Sequence, residues 1–218
     1  MHKLLFTISI LITYSFYGQE DYSSFYFEDS QPSNVSSIFE IQDSYLGSYY
    51  KQNDSLVRVI IEKDSIYTEF GILFIISQEE LKKNKSITIE NSLVHGIQPN
   101  RGIPFKIIED TIYAVLIQQD LLFKPDSNHI LKQQKNNYFL NSKNEKGYFS
   151  TTLLSLQSDT LMLKEIDHLE VFNLLQKIKI FKEVEQNNIK TYIANPTQNE
   201  LNIFIREQGF SDLLKYHL

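Results

Sequence analysis

Histidine is the side chain best suited to acid–base chemistry near neutral pH, and this chain of 218 residues has five. Four of them lie beyond the N-terminal segment: His95, His129, His168 and His217. None falls in the His-x-His or His-x-x-x-His spacing that lets two imidazoles share a metal ion. His95 lies in the apolar run of residues 93–97, which makes it a candidate acid–base or ligand-binding group. The alternative is a hydrogen-bonded histidine of the core.

One nucleophile pattern is present, and it falls on the wrong kind of element. Ser48 and Lys51 have the Ser-x-x-Lys spacing of serine acyl-transfer enzymes, which works on a helix. Residues 47–51 are aromatic and are typical of a strand, on which these two side chains point to opposite faces. Gly-x-Ser-x-Gly, glycine-rich phosphate loops, His-Glu-x-x-His and Asp-rich calcium loops do not occur. We therefore expect no catalytic residue, no metal and no cofactor.

The aromatic residues offer a different chemistry, an apolar surface for a ligand. The chain has 13 Tyr and 15 Phe but no Trp. Tyr49, Tyr67 and Tyr113 lie in apolar runs, and with His95 they are our candidate ligand-binding residues. The alternative is that such rings pack across strands and in the core.

One recurring turn pattern predicts the elements that position these side chains. Asp or Asn is followed by Ser or Thr and then by Leu or Ile, beginning at Asp54, Asp64, Asn91, Asp110 and Asp159. Asp and Asn bond to their own backbone in turns and tolerate positive φ. Four of these turns separate two apolar runs, which predicts four tight antiparallel hairpins: 57–61 with 66–70, 87–89 with 93–94, 105–108 with 112–115, and 153–156 with 161–163.

The apolar pattern within the runs predicts how the strands are covered. Val57, Val59 and Ile61 share one face while Arg58 and Glu62 share the other, as in an antiparallel sheet with one solvated side. Residues 112–117 are apolar on both faces, which favours a central strand. Ser77 and Glu80 have the spacing of a capping box and predict a short helix at residues 78–83.

The predicted organisation has four parts. Residues 1–18 are a signal peptide, residues 19–44 a polar and aromatic leader, and residues 45–167 an antiparallel β domain. Residues 168–218 are a helix–hairpin–helix extension packed on the same domain, whose last helix begins at the capping box of Thr197 and Glu200. We expect a mainly β (β-rich α+β) fold. Its antiparallel meander of hairpins forms a sheet or barrel-like core, with a short inserted helix and C-terminal helices packed on it.

The start of the predicted β domain resembles a known family. Gly47-Ser48-Tyr49 opens the first predicted strand and is followed by a meander and a late helix. This is loosely similar to lipocalin-like barrels, which open with a Gly-x-Trp element, and Tyr49 stands at the Trp position. The resemblance covers three residues and the topology, and it implies a barrel that encloses a small hydrophobic ligand.

The first eighteen residues indicate export. His2 and Lys3 precede an apolar and hydroxyl run from Leu4 to Tyr14, and small residues follow, with cleavage after Ser15 or after Gly18. The chain has no Cys, so it has neither disulfides nor a lipid-modified cysteine. We expect a periplasmic or extracellular protein without a lipid anchor.

Charge and hydropathy exclude two kinds of partner. The chain has 21 basic and 27 acidic residues, a net charge of −6, whereas nucleic-acid binding needs a basic footprint. No second run of about 20 apolar residues follows the N-terminal one, so no transmembrane helix is expected in the mature chain.

These observations favour an exported soluble protein, a non-catalytic binding or structural protein of the cell envelope. Its partner would be a small hydrophobic ligand or an envelope protein. Two alternatives stay open: an envelope hydrolase whose site is assembled from dispersed His, Asp, Glu and Tyr, and a lipocalin-like carrier of a small hydrophobic ligand.

Overall fold

A computed structural model describes residues 24–98, 101–167, 174, 181–186 and 189–218. The strands in these residues are β1 Ser24–Phe27, β2 Ser37–Ile38, β3 Gly47–Lys51, β4 Asp54–Ile61, β5 Ile66–Ser77, β6 Thr88–Glu90, β7 Leu93–Gln98, β8 Arg101–Ile108, β9 Thr111–Phe123, β10 His129–Gln134, β11 Asn137–Lys143, β12 Phe149–Gln157, β13 Thr160–Glu165, β14 Phe181–Gln186, β15 Ile189–Ala194 and β16 Asp212–His217. The described residues also contain the helices α1 Gln78–Lys83 and α2 Gln198–Arg206 and a 3-10 turn at Asp43–Tyr45, and residue 174 is helical.

The sixteen described strands form one large sheet that is not closed into a barrel. Its longest path runs β14-β15-β1-β12-β13-β16-β3-β4-β5-β9-β8-β7-β6, and β11, β10 and β2 branch from β12. Pairing among the described strands is antiparallel except between β1 and β15. The predicted antiparallel, β-rich fold is confirmed, and of the two forms left open it is the sheet, not the closed barrel.

All four predicted hairpins are present, as β4–β5, β6–β7, β8–β9 and β12–β13. Three of the four turns use positive φ: at Asn91 and Ser92 (51° and 62°), at Glu109 before Asp110 (55°) and at Ser158 before Asp159 (53°). Positive φ lets a two-residue loop follow the right-handed twist of the strands. The turn chemistry of the sequence therefore fixes these hairpins locally.

Both predicted capping boxes are also present. In α1 the Glu80 N–H donates to Ser77 Oγ and the Ser77 N–H donates back to the Glu80 carboxylate, each over 3.1 Å. Thr197 and Glu200 make the same exchange at the start of α2. The first helix predicted for the extension of residues 168–218 falls on residues 168–180, which lie outside the described residues apart from residue 174.

Part of the predicted leader is built into the sheet. Strand β1 lies between β15 and β12, and β2 pairs with β10. The C-terminal segment forms β16 between β13 and β3. These pairings join residues far apart in the chain, which is why local patterns did not indicate them.

The inner face of the sheet carries the main core, and we call the opposite face the outer face. Tyr49, Tyr138 and Leu131 are fully buried there. The buried hydroxyls have partners: Tyr49 donates to the Tyr45 carbonyl over 2.9 Å, and Tyr138 accepts the Gln42 N–H over 2.9 Å. The space behind the sheet is thus filled by the chain's own side chains.

Alkaline pH should destabilise this core. Burial raises the pKa of Tyr45, Tyr138 and Tyr216 above the ordinary value of 10.0. The folded state then holds protons that the unfolded state has lost, so the stabilising contribution is complete below pH 10 and falls as pH rises above it. We expect the denaturant midpoint to fall in this range, with a shallower fall in Tyr138→Phe than in the exposed control Tyr50→Phe. Equal falls in the two variants would contradict this.

Candidate functional site

Exposed apolar side chains gather at the end of the sheet formed by β5, β8 and β9. They lie on both faces of these strands: Ile72, Leu73, Ile75, Ile107, Ile108, Ile117, Leu121 and Leu122. The sequence favours burial on both faces of residues 112–117, yet the residues of this run that are buried, Ile112 and Ala114, both lie on the inner face. The outer face at this point is an unburied apolar surface.

A groove opens on that face because β8 separates from β9. The β8–β9 ladder runs from the Ile108–Thr111 pair to the Phe105–Ala114 pair. The next residue of β8 is Pro104, which has no N–H to donate, and the first half of β8 pairs with β7 instead. The two strands therefore diverge beyond this point.

We call this opening the β8–β9 groove, and its volume is about 650 Å³. On the β9 side it is lined by Tyr113, Val115 and Ile117. On the β8 side the lining includes Pro104 and Ile108. The surface is mainly apolar, which makes it suitable for binding a hydrocarbon ligand.

Two cations border this apolar surface, although the protein as a whole is acidic. Arg101 and Lys106 line the groove and are exposed. Neither has an ion-pair partner among the described residues. No Asp or Glu is found among the described residues that line the groove. The site is therefore complementary to an anionic group attached to an apolar body.

Comparison with models of protein families, with curated proteins and with solved structures finds no match. The function of the chain is therefore argued from the chemistry of the groove.

The four residues predicted to bind a ligand are dispersed. Tyr113 lines the groove. His95 is on β7, with its ring against Gly102 of β8, where an added Cβ would lie 2.6 Å from the His95 Cε1 atom. Tyr49 is fully buried in the main core. Tyr67 pairs with Leu121 beyond the groove.

The sequence contains a signal for the residues that the prediction missed. The doubly apolar run at residues 112–117 lies opposite a strand that contains Pro104, and a proline inside a sheet marks the end of a ladder. Together these features indicate an uncovered apolar strand next to a gap. Arg101 and Lys106 become candidate binding residues only once the gap beside them is known.

The described residues contain no group of three or more His, Cys, Asp or Glu side chains arranged to hold a metal ion. No helix in the same part of the chain combines the length and the apolar character needed to cross a membrane.

Proposed function

We propose that this chain is an exported, non-catalytic binding protein of the cell envelope whose β8–β9 groove takes a small hydrophobic ligand with an anionic group. The observation that carries the proposal is an open apolar groove bordered by Arg101 and Lys106, neither of which forms an ion pair within the described part of the chain. Export rests on the basic start and the apolar run of the first eighteen residues.

The absence of carboxylates in the described lining ranks binding above hydrolysis. A hydrolase of dispersed residues needs an acid or base that reaches the bound substrate. Tyr113 and Lys106 are the titratable lining residues beside Arg101. Among the residues that the structure describes, no carboxylate is paired with any of these three side chains to orient it for proton transfer.

The filled interior favours the outer face over an enclosed cavity. A lipocalin-like carrier holds its ligand inside the barrel, whereas here Tyr49, Tyr138 and Leu131 occupy the inner side of an open sheet. We therefore keep the hydrophobic ligand as the ligand class and propose the β8–β9 groove on the outer face as its binding site.

Native mass spectrometry of the protein purified from its own envelope fraction tests the ligand class directly. A co-purifying single-chain amphiphile supports the proposal. Titration with oleate and with oleyl alcohol separates the two parts of the site, since only oleate presents a carboxylate. We expect oleate to bind more tightly than oleyl alcohol, and the difference in affinity to decrease when Lys106 is replaced by Gln. Equal binding of the two probes, or none, would count against the proposal.

Ile108→Asn should weaken oleate binding about tenfold, because a half-exposed Ile covered by ligand contributes on the order of 1.4 kcal/mol. The matched control is Ile107→Asn. Ile107 is 51% exposed and Ile108 57%, and as neighbours on β8 they point to opposite faces. The groove is lined by Ile108. A similar loss in both variants, measured by calorimetry, would show that oleate does not use this groove.

A further inference from the structure

Strand β9 has a free hydrogen-bonding edge along its second half. On one side it pairs with β5 from Thr111 to Phe123. On the other side β8 pairs with it only from Thr111 to Ala114. Among the described residues, no strand pairs with residues 115–123 on that side. Residues 117–122 are all exposed. The unpaired N–H and C=O groups of such an edge are a template for another strand.

This edge carries little of the usual protection against pairing, since it has one charged side chain and its bulge lies at the far end. Residues 117–121 read Ile-Gln-Gln-Asp-Leu, with no Lys, no Pro and Asp120 as their one charge. Edge strands that stay single commonly carry Lys or Pro, or a bulge that bends them away. Here the register shift lies at the far end, where Tyr67 pairs with Leu121 and Ile66 pairs with Phe123, which leaves Leu122 as the extra residue. The straight part of the edge is thus residues 117–121.

The straight part is complementary to itself in an antiparallel arrangement. With a two-fold axis at Gln119, perpendicular to the sheet, Ile117 lies opposite Leu121 of a second copy. Gln118 lies opposite Asp120 of that copy, and Gln119 lies opposite its equivalent. The outer face then pairs apolar with apolar, and the inner face pairs an amide with a carboxylate.

Neighbouring registers lack this complementarity. Moving the axis to Gln118 places Ile117 opposite Gln119 and Asp120 opposite Leu116. Moving it to Asp120 places two carboxylates opposite each other, which is destabilising. The axis at Gln119 is also the one that covers Ile117 and Leu121, whose side chains are 36% and 56% exposed.

We propose that the free edge of β9 binds a second copy of this chain, so that two sheets join by antiparallel pairing about Gln119 into a two-fold symmetric dimer. The interface is isologous, since the same five residues serve both copies. It is small, which places the expected dissociation constant in the range of about 1–100 μM. The inference does not rest on the ligand proposed above, although Ile117 belongs to both the groove and this interface.

Gln119→Lys and Gln118→Lys test the pairing with the same chemical change at adjacent exposed positions. Lys at 119 faces a second Lys across the axis, and we expect the dimer dissociation constant to rise at least tenfold. Lys at 118 faces Asp120 of the second copy, so the dimer persists or tightens. Sedimentation equilibrium from about 1 μM to 1 mM measures both, with circular dichroism as a check of folding.

Mixing two oppositely charged variants should restore the dimer that each variant alone has lost. Gln119→Lys and Gln119→Glu are each expected to be monomeric alone and to form a heterodimer when mixed, because the two charges then attract across the axis. A wild-type chain that is monomeric throughout the concentration range would overturn the proposal. So would an equal effect of the substitutions at 118 and 119, or the failure of the two charged variants to pair.

Discussion

Replacing Asn141 with Leu should lower the free energy of unfolding by about 3–5 kcal/mol, because it leaves several buried polar groups without partners at about 1–3 kcal/mol each. Asn141 is fully buried. Its Oδ1 accepts the Gln31 N–H over 2.7 Å and the Thr151 hydroxyl over 2.8 Å. Its Nδ2 donates to the Gln31 carbonyl over 2.8 Å. Leu keeps the branched shape of Asn but is larger, so the loss combines the missing hydrogen bonds with tighter packing.

This amide ties the N-terminal segment to the sheet across 110 residues of sequence. Lys132 supports the same segment, since its Nζ donates to the carbonyls of Ser30 and Pro32, each over 2.8 Å. We therefore expect the Gln31 amide to lose its protection from hydrogen exchange in Asn141→Leu before the hairpin amides do.

Thr151→Val provides the graded control for Asn141→Leu. It removes one hydrogen bond to Asn141 and keeps the shape of the side chain, so the expected loss is about 1 kcal/mol. Chemical unfolding followed by tyrosine fluorescence measures both variants, as the chain has no Trp. Equal losses in the two variants would contradict a linking role of the amide.

Phe204→Ala should cost about 3–5 kcal/mol, the usual cost of removing a buried phenyl ring. Phe204 is fully buried on α2. Its ring stacks on Phe25 at 6.1 Å between centroids and meets Phe27 and Phe210 edge to face at 6.4 Å and 5.5 Å. The substitution therefore weakens the contact of α2 with β1 and with the chain leading into β16.

Substituting residue 204 with side chains of different size separates the effect of packing on stability from the effect of helix propensity. Ala is the better helix former, so a large loss in Phe204→Ala comes from the cavity and not from the helix itself. Phe204→Leu should lose distinctly less, and the exposed control Asn202→Ala should stay within about 0.5 kcal/mol of wild type. Similar unfolding midpoints for Phe204→Ala and Asn202→Ala would show that α2 does not anchor β1.

The hairpins and caps were predictable because their causes are local. Asn91 and Ser92 can adopt the positive φ that a tight turn needs, whatever lies elsewhere in the chain. The Ser77–Glu80 and Thr197–Glu200 exchanges close within three residues. Alternation along residues 57–61 reports the burial of one face directly.

The candidate site was predictable only in part, because it depends on where two strands separate. Tyr113 was identified from its type and its strand, and it does line the groove. Arg101 and Lys106 were missed, since an isolated cation in a sequence is most often a solvated surface residue. They became candidates when Pro104 and the end of the β8–β9 ladder placed them beside an open apolar surface.

Local features of the sequence specify a β-rich protein of antiparallel hairpins with two capped helices. The causes are turn residues, caps and alternation, each of which acts over a few residues. Long-range strand pairing is what makes β1 and β16 complete the sheet, buries Tyr49 in the core, and leaves β9 with an open groove and a free edge. Those features arise from pairings between distant residues, some of them more than a hundred positions apart in the sequence. No local pattern specifies which distant strand will be the neighbour, nor where a neighbour will be missing.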